Sequence, residues 1–367
     1  MSLSYESSGV RYDQLDAFKR ACQRAASTTA GALEAHGYRE PASIRGESAY
    51  LIEAEDHYLA HVEEGLGTKN LVADAVYAQS GKCFYREIGI DTVATIVNDL
   101  ATCGALPISV AMHAAVGDSG WFADEQRAGD LVAGFAEGCR QAGAVWGGGE
   151  TPTLKNIIDP KSIDLAGSAI GIIKPKSRLT LGEKLTPGDT IVLVSSSGIH
   201  SNGLTLVRSV AKNSLKGYAT KLSDGSTFGE TLLRPTYIYA KFIEELFVNN
   251  VDIHYMVNIT GHGWRKLMRA EKNFTYTINT VPSPQPEFTY IQSVTHLSDK
   301  EMYETFNMGA GFALFLPASD ISTVQQCAKH HKLKVFHAGT VSTGAKCIQI
   351  KPLGITLLGG SLRVRGK

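Results

Sequence analysis

The sequence predicts a two-domain α/β protein with mixed sheets. Its 367 residues exceed what one ordinary hydrophobic core accommodates, so two domains are expected. Both halves also follow one plan, in which a strand-like apolar run ends in a glycine-rich turn and leads into a helical pattern. The polar segment Lys-Pro-Lys-Ser at 174–177 separates the two halves and predicts domains over residues 1–174 and 175–367.

Composition narrows the class of protein. The chain is 43% hydrophobic and 20% charged, and its 36 basic and 36 acidic residues cancel. Since there is no overall basic field, neither nucleic acid nor an anionic membrane is an expected partner. Residues 1–11 lack an apolar signal core, and no apolar run approaches 18 residues, so secretion and membrane insertion are not expected. The six cysteines form no C-x-x-C motif and indicate reduced thiols in a cytoplasmic protein.

The first glycine-rich turn follows the strand-like residues 58–62 and reads Glu-Glu-Gly-Leu-Gly-Thr-Lys over 63–69. Its backbone N–H groups and Lys69 suit a phosphate, and its carboxylates suit a cation carried with that phosphate. It is not a Walker A loop, and by itself it is more typical of a solvated surface turn. A polar insertion is expected from there to residue 85.

A helix is predicted over 92–103, because apolar residues recur with a 3.6-residue period from 93 to 100. Asp91 precedes this pattern, and an N-cap role and a functional role are both open to it. Asp99 falls on or beside the apolar stripe, where a carboxylate without a partner is costly, so a functional role is favoured. The two carboxylates are about 12 Å apart along the helix axis and could not both bind one ion.

Three further glycine-rich turns follow strand-like runs, at 147–151, 195–203 and 258–263. Alone, each is compatible with an ordinary loop. His200 in the second has three open roles: a general acid or base, a phosphate contact, or a loop residue bonded to backbone. His262 lies between two glycines and is more available for function, whereas His254 is expected to be a core histidine with satisfied hydrogen bonds.

Taken together, these turns resemble motifs of the aminoimidazole ribonucleotide synthetase family, the phosphoribosylformylglycinamidine cyclo-ligases. The motifs occur in family order over residues 4–343. The matching segments of this chain are S-Y-x-x-x-G-V at 4–10, E-G-L-G-T-K at 64–69 for the family's D-G-V-G-T-K, G-I-D with N-D-L at 89–100, G-G-E-T at 148–151, S-S-G-x-H-S-N-G at 196–203, T-G-H-G at 260–263 for the family's T-G-G-G, and M-Y-x-T-F-N-M-G at 302–309.

This resemblance implies two α/β domains and a homodimer in which the amino-terminal strands form a shared barrel. It also implies an ATP-driven ring closure of formylglycinamidine ribonucleotide to aminoimidazole ribonucleotide. The formamide oxygen of the substrate is phosphorylated, and ADP is released. The amidine nitrogen then attacks the formamide carbon, and phosphate leaves. Such chemistry depends mainly on positioning and charge neutralisation.

The resemblance further implies roles for particular residues. The implied catalytic residues are Lys69, Asp99 and His200, with Asp99 and Glu64 holding Mg²⁺. Those implied to bind ATP are Glu64, Gly65, Gly67, Thr68, Asp91 and Asn98. Those implied to bind the phosphoribosyl substrate are Gly149, Glu150, Thr151, Ser197, Ser201, Asn202, Gly261 and Asn307.

Departures from the family pattern leave alternatives open. Glu64 replaces an aspartate, His262 replaces a glycine, residues 152–156 differ, and the glycine-rich segment expected within 27–51 is missing. A divergent superfamily member is therefore an alternative, either a kinase or ligase for another small amide or phosphate substrate, or a nucleotide-binding protein without turnover. A thiamine-phosphate kinase belongs to this group. The absence of cysteine from an amino-terminal glycine loop and from the tail disfavours selenophosphate synthetases and hydrogenase-maturation proteins.

Overall fold

Two β-sheets organise the part of the chain that the computed structural model describes, residues 12–42 and 44–362. The motif at 4–10 and the tail at 363–367 lie outside the described residues. The α-helices are α1 (Tyr12–Ser27), α2 (Lys69–Ser80), α3 (Tyr85–Ala101), α4 (Glu125–Ala142), α5 (Leu204–Lys212), α6 (Phe228–Leu232), α7 (Ala240–Val248), α8 (Pro286–Thr295), α9 (Asp299–Thr305) and α10 (Ile321–His330). The strands are β1 (Tyr50–Glu53), β2 (Tyr58–Gly65), β3 (Leu106–Val116), β4 (Val145–Glu150), β5 (Ile163–Ile173), β6 (Thr190–Ser195), β7 (Tyr255–Asn258), β8 (Phe274–Ile278), β9 (Ala310–Leu316), β10 (Val335–Thr343), β11 (Cys347–Ile350) and β12 (Ile355–Leu358).

The first sheet has the order β1-β2-β5-β3-β4, with β3 and β4 parallel and the other neighbours antiparallel. Helix α3 packs on β2 and β5, and α4 packs on α3. The two helices approach so closely that a Cβ added to Gly134 would lie 1.9 Å from the carbonyl oxygen of Arg86. Glycine is therefore required at this crossing, and α3 is held rigidly over the sheet.

The second sheet has the order β12-β11-β8-β10-β6-β9-β7. Only β11 and β8 pair in parallel within it, and every residue of β9 is buried. One hydrophobic cluster contains residues of both halves, for example Val97 of α3 and Val257 of β7. A cavity between the halves is therefore framed by packed elements on both sides.

The structure confirms the mixed α/β class and most of the predicted elements, including the strand-like run at 58–62, which lies in β2. Three local predictions were wrong. The expected polar insertion contains α2, because Val72, Ala73 and Val76 form a buried stripe among polar residues. Helix α3 begins at Tyr85 instead of residue 92, which rules out the N-cap role, one of the two roles left open to Asp91. The triple glycine at 147–149 belongs to β4 instead of a loop.

No helix among the described residues is both long enough and apolar enough to cross a bilayer. The division at 174/175 stays a prediction, although the two sheets use separate stretches of the chain, residues 50–173 and 190–358.

Candidate active site

A cavity of about 540 Å³ lies between the two halves of the molecule. Helix α1, the end of β2 and helix α3 form one side, and the loops after β6 and β7 form the other. Six residues predicted from the motifs share its lining: Glu64, Gly65, Asp99, Ser201, Asn202 and Gly261. Glycine-bearing turns that are far apart in sequence thus meet in one place.

Three carboxylates line this cavity, those of Glu47, Glu64 and Asp99, and the last two come from the predicted motifs. Glu64 lies at the end of β2, and Asp99 lies on α3, where 14 of 17 residues are buried and each polar group needs a partner. The side-chain amide of Asn258 donates to Asp99 Oδ1 at 2.6 Å. Burial and the charge of Asp99 raise the pKa of Glu64 to about 7. Because the two acids repel each other, a cation bound beside them would relieve that repulsion.

This pair fits a magnesium ion that arrives with a phosphate ligand. The described residues contain no cluster of three or more histidine, cysteine or acidic side chains that could hold a metal alone. Mg²⁺ in proteins is commonly held by one or two carboxylates, with phosphate oxygens and water completing its octahedron. Glu64 and Asp99 supply that number of protein ligands.

Cations stand on the opposite wall. Lys266 follows the T-G-H-G turn and donates to the hydroxyl of Thr260. Arg269 donates to the carbonyl of Gly46 through Nε at 3.0 Å and Nη2 at 2.8 Å, and to Ser48 Oγ at 2.7 Å. Arg269 therefore holds the 46–48 loop in the cavity wall, whereas Lys266 faces the cavity itself.

His262 fills part of the cavity where the family has glycine. Its backbone has φ 68°, in the left-handed region that favours glycine, and its side chain is buried. Burial and the nearby cations lower the pKa of His262 to about 3, so the ring is neutral at neutral pH. Its Nε2 lies 3.6 Å from a carboxylate oxygen of Asp16 on α1. His262 thus joins α1 to the second half over the cavity.

Lys69 and Asp91 form a second polar cluster, which lies outside the cavity lining. Lys69 Nζ is 2.7 Å from Asp91 Oδ2, and both side chains are fully buried. Lys69 also donates to the carbonyl of Arg234 at 2.9 Å, and Asp91 Oδ1 accepts from the backbone N–H of Thr236 at 2.8 Å and from its hydroxyl. The structure thus places Lys69 in a contact between the two halves.

Asn98, the residue before Asp99 on α3, reinforces this contact. Its amide donates to the carbonyl of Tyr237 at 2.7 Å, and its oxygen accepts from the backbone N–H of Tyr239 at 2.9 Å. Helix α3 therefore carries two kinds of polar residue: Asp91 and Asn98 bind the 234–239 segment, and Asp99 faces the cavity.

His200 is bonded to backbone, the third of the roles open to it. Its Nε2 accepts from the N–H of Ser197 at 3.2 Å, and its ring is 2% exposed. Burial, with a smaller contribution from the charge of Lys69, lowers the pKa of His200 to about 3. His200 is therefore a neutral ring that fixes the loop carrying Ser201 and Asn202.

The remaining predicted residues do not line the cavity themselves; some support the loops that do, and others lie apart from it. Asn307 accepts from Ser196 Oγ at 3.1 Å and donates to the carbonyl of Gly198 at 2.9 Å. These two hydrogen bonds fix the start of the loop that carries Ser201 and Asn202. Ser197 Oγ donates to the carbonyl of Pro235 at 2.6 Å. Gly67 and Thr68 connect β2 to α2, outside the cavity lining. Gly149, Glu150 and Thr151 are exposed at the β4 edge of the first sheet.

Sequence reasoning missed Lys266, Arg269 and Glu47, which also line the cavity. The available signal was the basic pattern R-K-L-M-R directly after the T-G-H-G turn, which resembles an ordinary solvated helix face. Its position next to a glycine-rich turn was the feature that set it apart.

The fold and the cavity define a class of two-domain α/β proteins in which strand-exit loops bring acids and cations into one cleft. Family models place the chain within that class. The N-terminal domain model of AIR synthase related proteins matches residues 46–173, and the C-terminal domain model matches residues 186–349. The chain belongs to the AIR synthase related protein family, which confirms the resemblance carried by its motifs.

Curated relatives support the same family assignment. The chain is 36% identical over 303 residues to a phosphoribosylformylglycinamidine cyclo-ligase of Methanococcus maripaludis, covering 82% of this chain and 83% of the relative. It is 37% identical over 319 residues to the protein of that name in Thermococcus kodakarensis, covering 87% and 89%.

Solved structures share the fold at low sequence identity. T. maritima PurL complexed with ADP matches with a TM-score of 0.57 and 14% identity, covering 89% of this chain and 47% of that chain. Thiamine-monophosphate kinase from Stenotrophomonas maltophilia matches with a TM-score of 0.57 and 16% identity, covering 83% and 90%. The hydrogenase maturation protein HypE in complex with ATP matches with a TM-score of 0.54 and 19% identity, covering 76% and 81%.

Proposed function

We propose that this protein is an ATP-dependent cyclo-ligase that converts formylglycinamidine ribonucleotide to aminoimidazole ribonucleotide, with release of ADP and phosphate. The observation that carries the proposal is the meeting of Glu64 and Asp99 with Ser201, Asn202 and Gly261 in one cavity. The names of the curated relatives, at 36–37% identity over most of the chain, support the same activity.

In this proposal the carboxylates of Glu64 and Asp99 hold Mg²⁺ with the nucleotide. In that position the ion would neutralise phosphate charge. Ser201, Asn202 and Gly261 lie on the opposite wall and orient the ribose phosphate of the substrate through hydroxyl, amide and backbone N–H groups. The two reactants are thereby held side by side, and positioning supplies most of the rate acceleration.

We assign Lys69, Asp91, Asn98 and His200 positioning roles. Their partners are all within the protein: Lys69 and Asp91 pair with each other, Asn98 binds backbone at 237 and 239, and His200 binds backbone at 197. They fix α3 and the 197–203 loop on facing sides of the cavity. Asp99 and Ser201 then line the same cavity without rearrangement of the fold.

We also propose that the protein is a homodimer. Ile170 pairs with Ser109, and Ser109 pairs with Val145, so the three residues form one row on one face of the first sheet. Ile170 is 50% exposed and Val145 is 61% exposed. Large apolar side chains exposed on a sheet face are typical of interaction surfaces, and a second copy of this sheet would cover Ile170 and Val145. A cytoplasmic location is part of the proposal, since all six cysteines are free thiols.

The activity is tested by incubating the purified protein with formylglycinamidine ribonucleotide, ATP and Mg²⁺. ADP release and formation of aminoimidazole ribonucleotide, followed by mass spectrometry, should both depend on the ribonucleotide. ADP release no greater than in the absence of the ribonucleotide would contradict the proposed reaction.

A second candidate is an ATP-dependent kinase or ligase for another small phosphate or amide substrate. His262 favours it, because its ring occupies volume that the glycine of the family pattern leaves open beside Gly261. Phosphorylation of thiamine monophosphate or another small substrate, with no turnover of formylglycinamidine ribonucleotide, would support this candidate instead.

A further inference from the structure

Lys266 lines the cavity together with the carboxylates of Glu64 and Asp99. The cations that line it within the described part of the chain are Lys19, Lys266 and Arg269, with neutral His262 beside them. Lys19 is exposed on α1. Arg269 is committed to the carbonyl of Gly46 and the hydroxyl of Ser48, and lies 3.9 Å from Glu47. Of the two cations that their own hydrogen bonds hold in place, Lys266 is the one bonded to a single hydroxyl, and it is therefore the better placed to bind a ligand inside the cavity.

Lys266 is fixed from both of its ends. Its backbone belongs to a short 3₁₀ helix, Gly263–Met268, that packs on the second sheet, and its ammonium group donates to Thr260. Burial lowers the pKa of Lys266, while the charges of Asp99 and Glu64 oppose that shift. The ammonium group thus lies within the field of both acids but is bonded to a hydroxyl, which a stronger acceptor can replace.

A polyphosphate in this cavity needs cations beside it, because the carboxylates in the lining repel its negative charge. Glu64 and Asp99 together cancel the charge of one divalent ion, which leaves the phosphate charge unbalanced. Lysine is a common phosphate ligand that acts as a compact point charge. Lys69, the lysine that the sequence motif singled out for this task, is fully buried against Asp91.

We propose that Lys266 binds the terminal phosphates of the nucleotide, beside the Glu64 and Asp99 carboxylates. The identity of the ligand as a nucleotide rests on the proposed function. The contact is made to the β- and γ-phosphates, so it distinguishes ATP from nucleotides with a single phosphate. When the nucleotide binds, its phosphate oxygens take the place of the Thr260 hydroxyl as acceptors for the Lys266 ammonium group.

The test compares the full-length wild type with K266M, K266Q and K266R, and with K300M as a matched control. Lys300 is exposed on α9. Dissociation constants for ATP and for AMP, each with Mg²⁺, are measured by calorimetry at one fixed salt concentration. Thermal unfolding confirms that each variant is folded, and K266Q, which keeps an N–H donor for Thr260, serves if K266M is not.

Loss of one charged hydrogen bond predicts that K266M and K266Q bind ATP about 10- to 100-fold more weakly. AMP binding should change by less than about twofold, K266R should recover most of the ATP affinity, and K300M should match the wild type. The inference is overturned if folded K266M or K266Q binds ATP as the wild type does, if ATP and AMP weaken equally, or if the wild type binds no nucleotide.

The outcomes also separate this inference from the proposed function. A wild type that binds ATP through Lys266 but does not convert formylglycinamidine ribonucleotide would retain the inference and reject the reaction. A wild type that converts the ribonucleotide, together with a K266M variant of unchanged ATP affinity, would do the reverse.

Discussion

The ammonium nitrogen of Lys69 lies 2.7 Å from a carboxylate oxygen of Asp91, and solvent reaches neither side chain. Lys69 begins α2, Asp91 lies in the middle of α3, and both bind the 234–236 segment of the second half. A charge pair thus stands at the junction of three separate pieces of chain. Its energetic role is to make their arrangement specific, because either charge alone in that position would be strongly unfavourable.

Single substitutions in this pair should destabilise the protein more than the double substitution does. We expect K69M or D91L to lower the free energy of unfolding by about 3–5 kcal/mol, because each leaves a buried charge without its partner. The K69M/D91L double variant should recover part of that loss. Urea denaturation of all four proteins gives the coupling directly. A K69M variant of unchanged stability that loses turnover would instead place Lys69 at the substrate.

Replacement of Asp99 should remove the divalent cation from the cavity. We expect D99N to keep the fold, because asparagine retains an oxygen that accepts from Asn258. Turnover should fall by about 100-fold or more, since the charge that holds the ion is lost. Binding of Mn²⁺ in the presence of ATP, followed by electron paramagnetic resonance, provides a readout independent of turnover. D164N, on an exposed position of β5, is the control. Normal Mn²⁺ binding by D99N would contradict the assigned site.

Glu287 should make the protein less stable as pH rises. Its carboxylate is fully buried on α8, 3.9 Å from Arg234, and burial raises the pKa of Glu287 from 4.5 to about 7. At pH values between 4.5 and about 7, Glu287 therefore keeps its proton in the folded state but loses it in the unfolded chain. The free energy of unfolding therefore falls with increasing pH across this window, by at most about 1.4 kcal/mol per pH unit.

The E287Q variant has no carboxyl proton to lose at this position and should lack this dependence. Its free energy of unfolding relative to the wild type should therefore increase between pH 5 and pH 8. The weaker charges that face Glu287 are those of Asp224 and Lys69, and both are present in the two proteins. E244Q, on the exposed face of α7, is the matched control. Parallel stability curves for wild type and E287Q would contradict the prediction.

Substitution of His262 by glycine should release α1 from the cavity. The change relieves a left-handed backbone, which favours the variant by about 1 kcal/mol, but it removes the contact with Asp16. We expect faster hydrogen exchange in α1 with little loss of global stability. H296G relieves a similar backbone at φ 57° on an exposed residue and controls for that effect alone. Unchanged exchange in α1 would show that His262 does not anchor the helix.

A charge placed on the outer row of the first sheet should dissociate the proposed dimer. We expect I170D to elute as a monomer, because a carboxylate in an apolar interface loses its hydration. Light scattering coupled to size-exclusion chromatography measures the mass. I157D introduces the same charge at a residue that is 79% exposed and lies outside the strands of the sheet. A wild type that is monomeric at micromolar concentration would rule out the dimer.

The sequence was sufficient to favour a functional role for Asp99 and to pick out the glycine-rich turns after β2, β6 and β7, whose residues line the shared cavity. Such turns follow strands, and a carboxylate on an apolar stripe requires a partner, so both inferences depend on local pattern. The partners of Lys69 and Lys266 depend instead on contacts between residues far apart in the chain. Lys69 follows a glycine motif, yet its partners Asp91 and Arg234 are brought to it only by packing. Lys266 is in a basic run that looks like a solvated face until Glu64 and Asp99 are placed opposite it.

The crossing of α3 and α4 gives residues far from the cavity influence over it. Gly134 meets the backbone of Arg86 so closely that no other residue fits without displacing α3. Asp99 lies on the same helix, 13 positions after Arg86. An alanine at 134 would therefore shift Asp99 relative to the ligands in the cavity. In a genetic screen, such a variant would be scored with the loss-of-function alleles of the cleft, although it touches no reactant. The phenotype of a variant at this crossing therefore reflects the displacement of Asp99 by α3, and not a lost contact with a reactant.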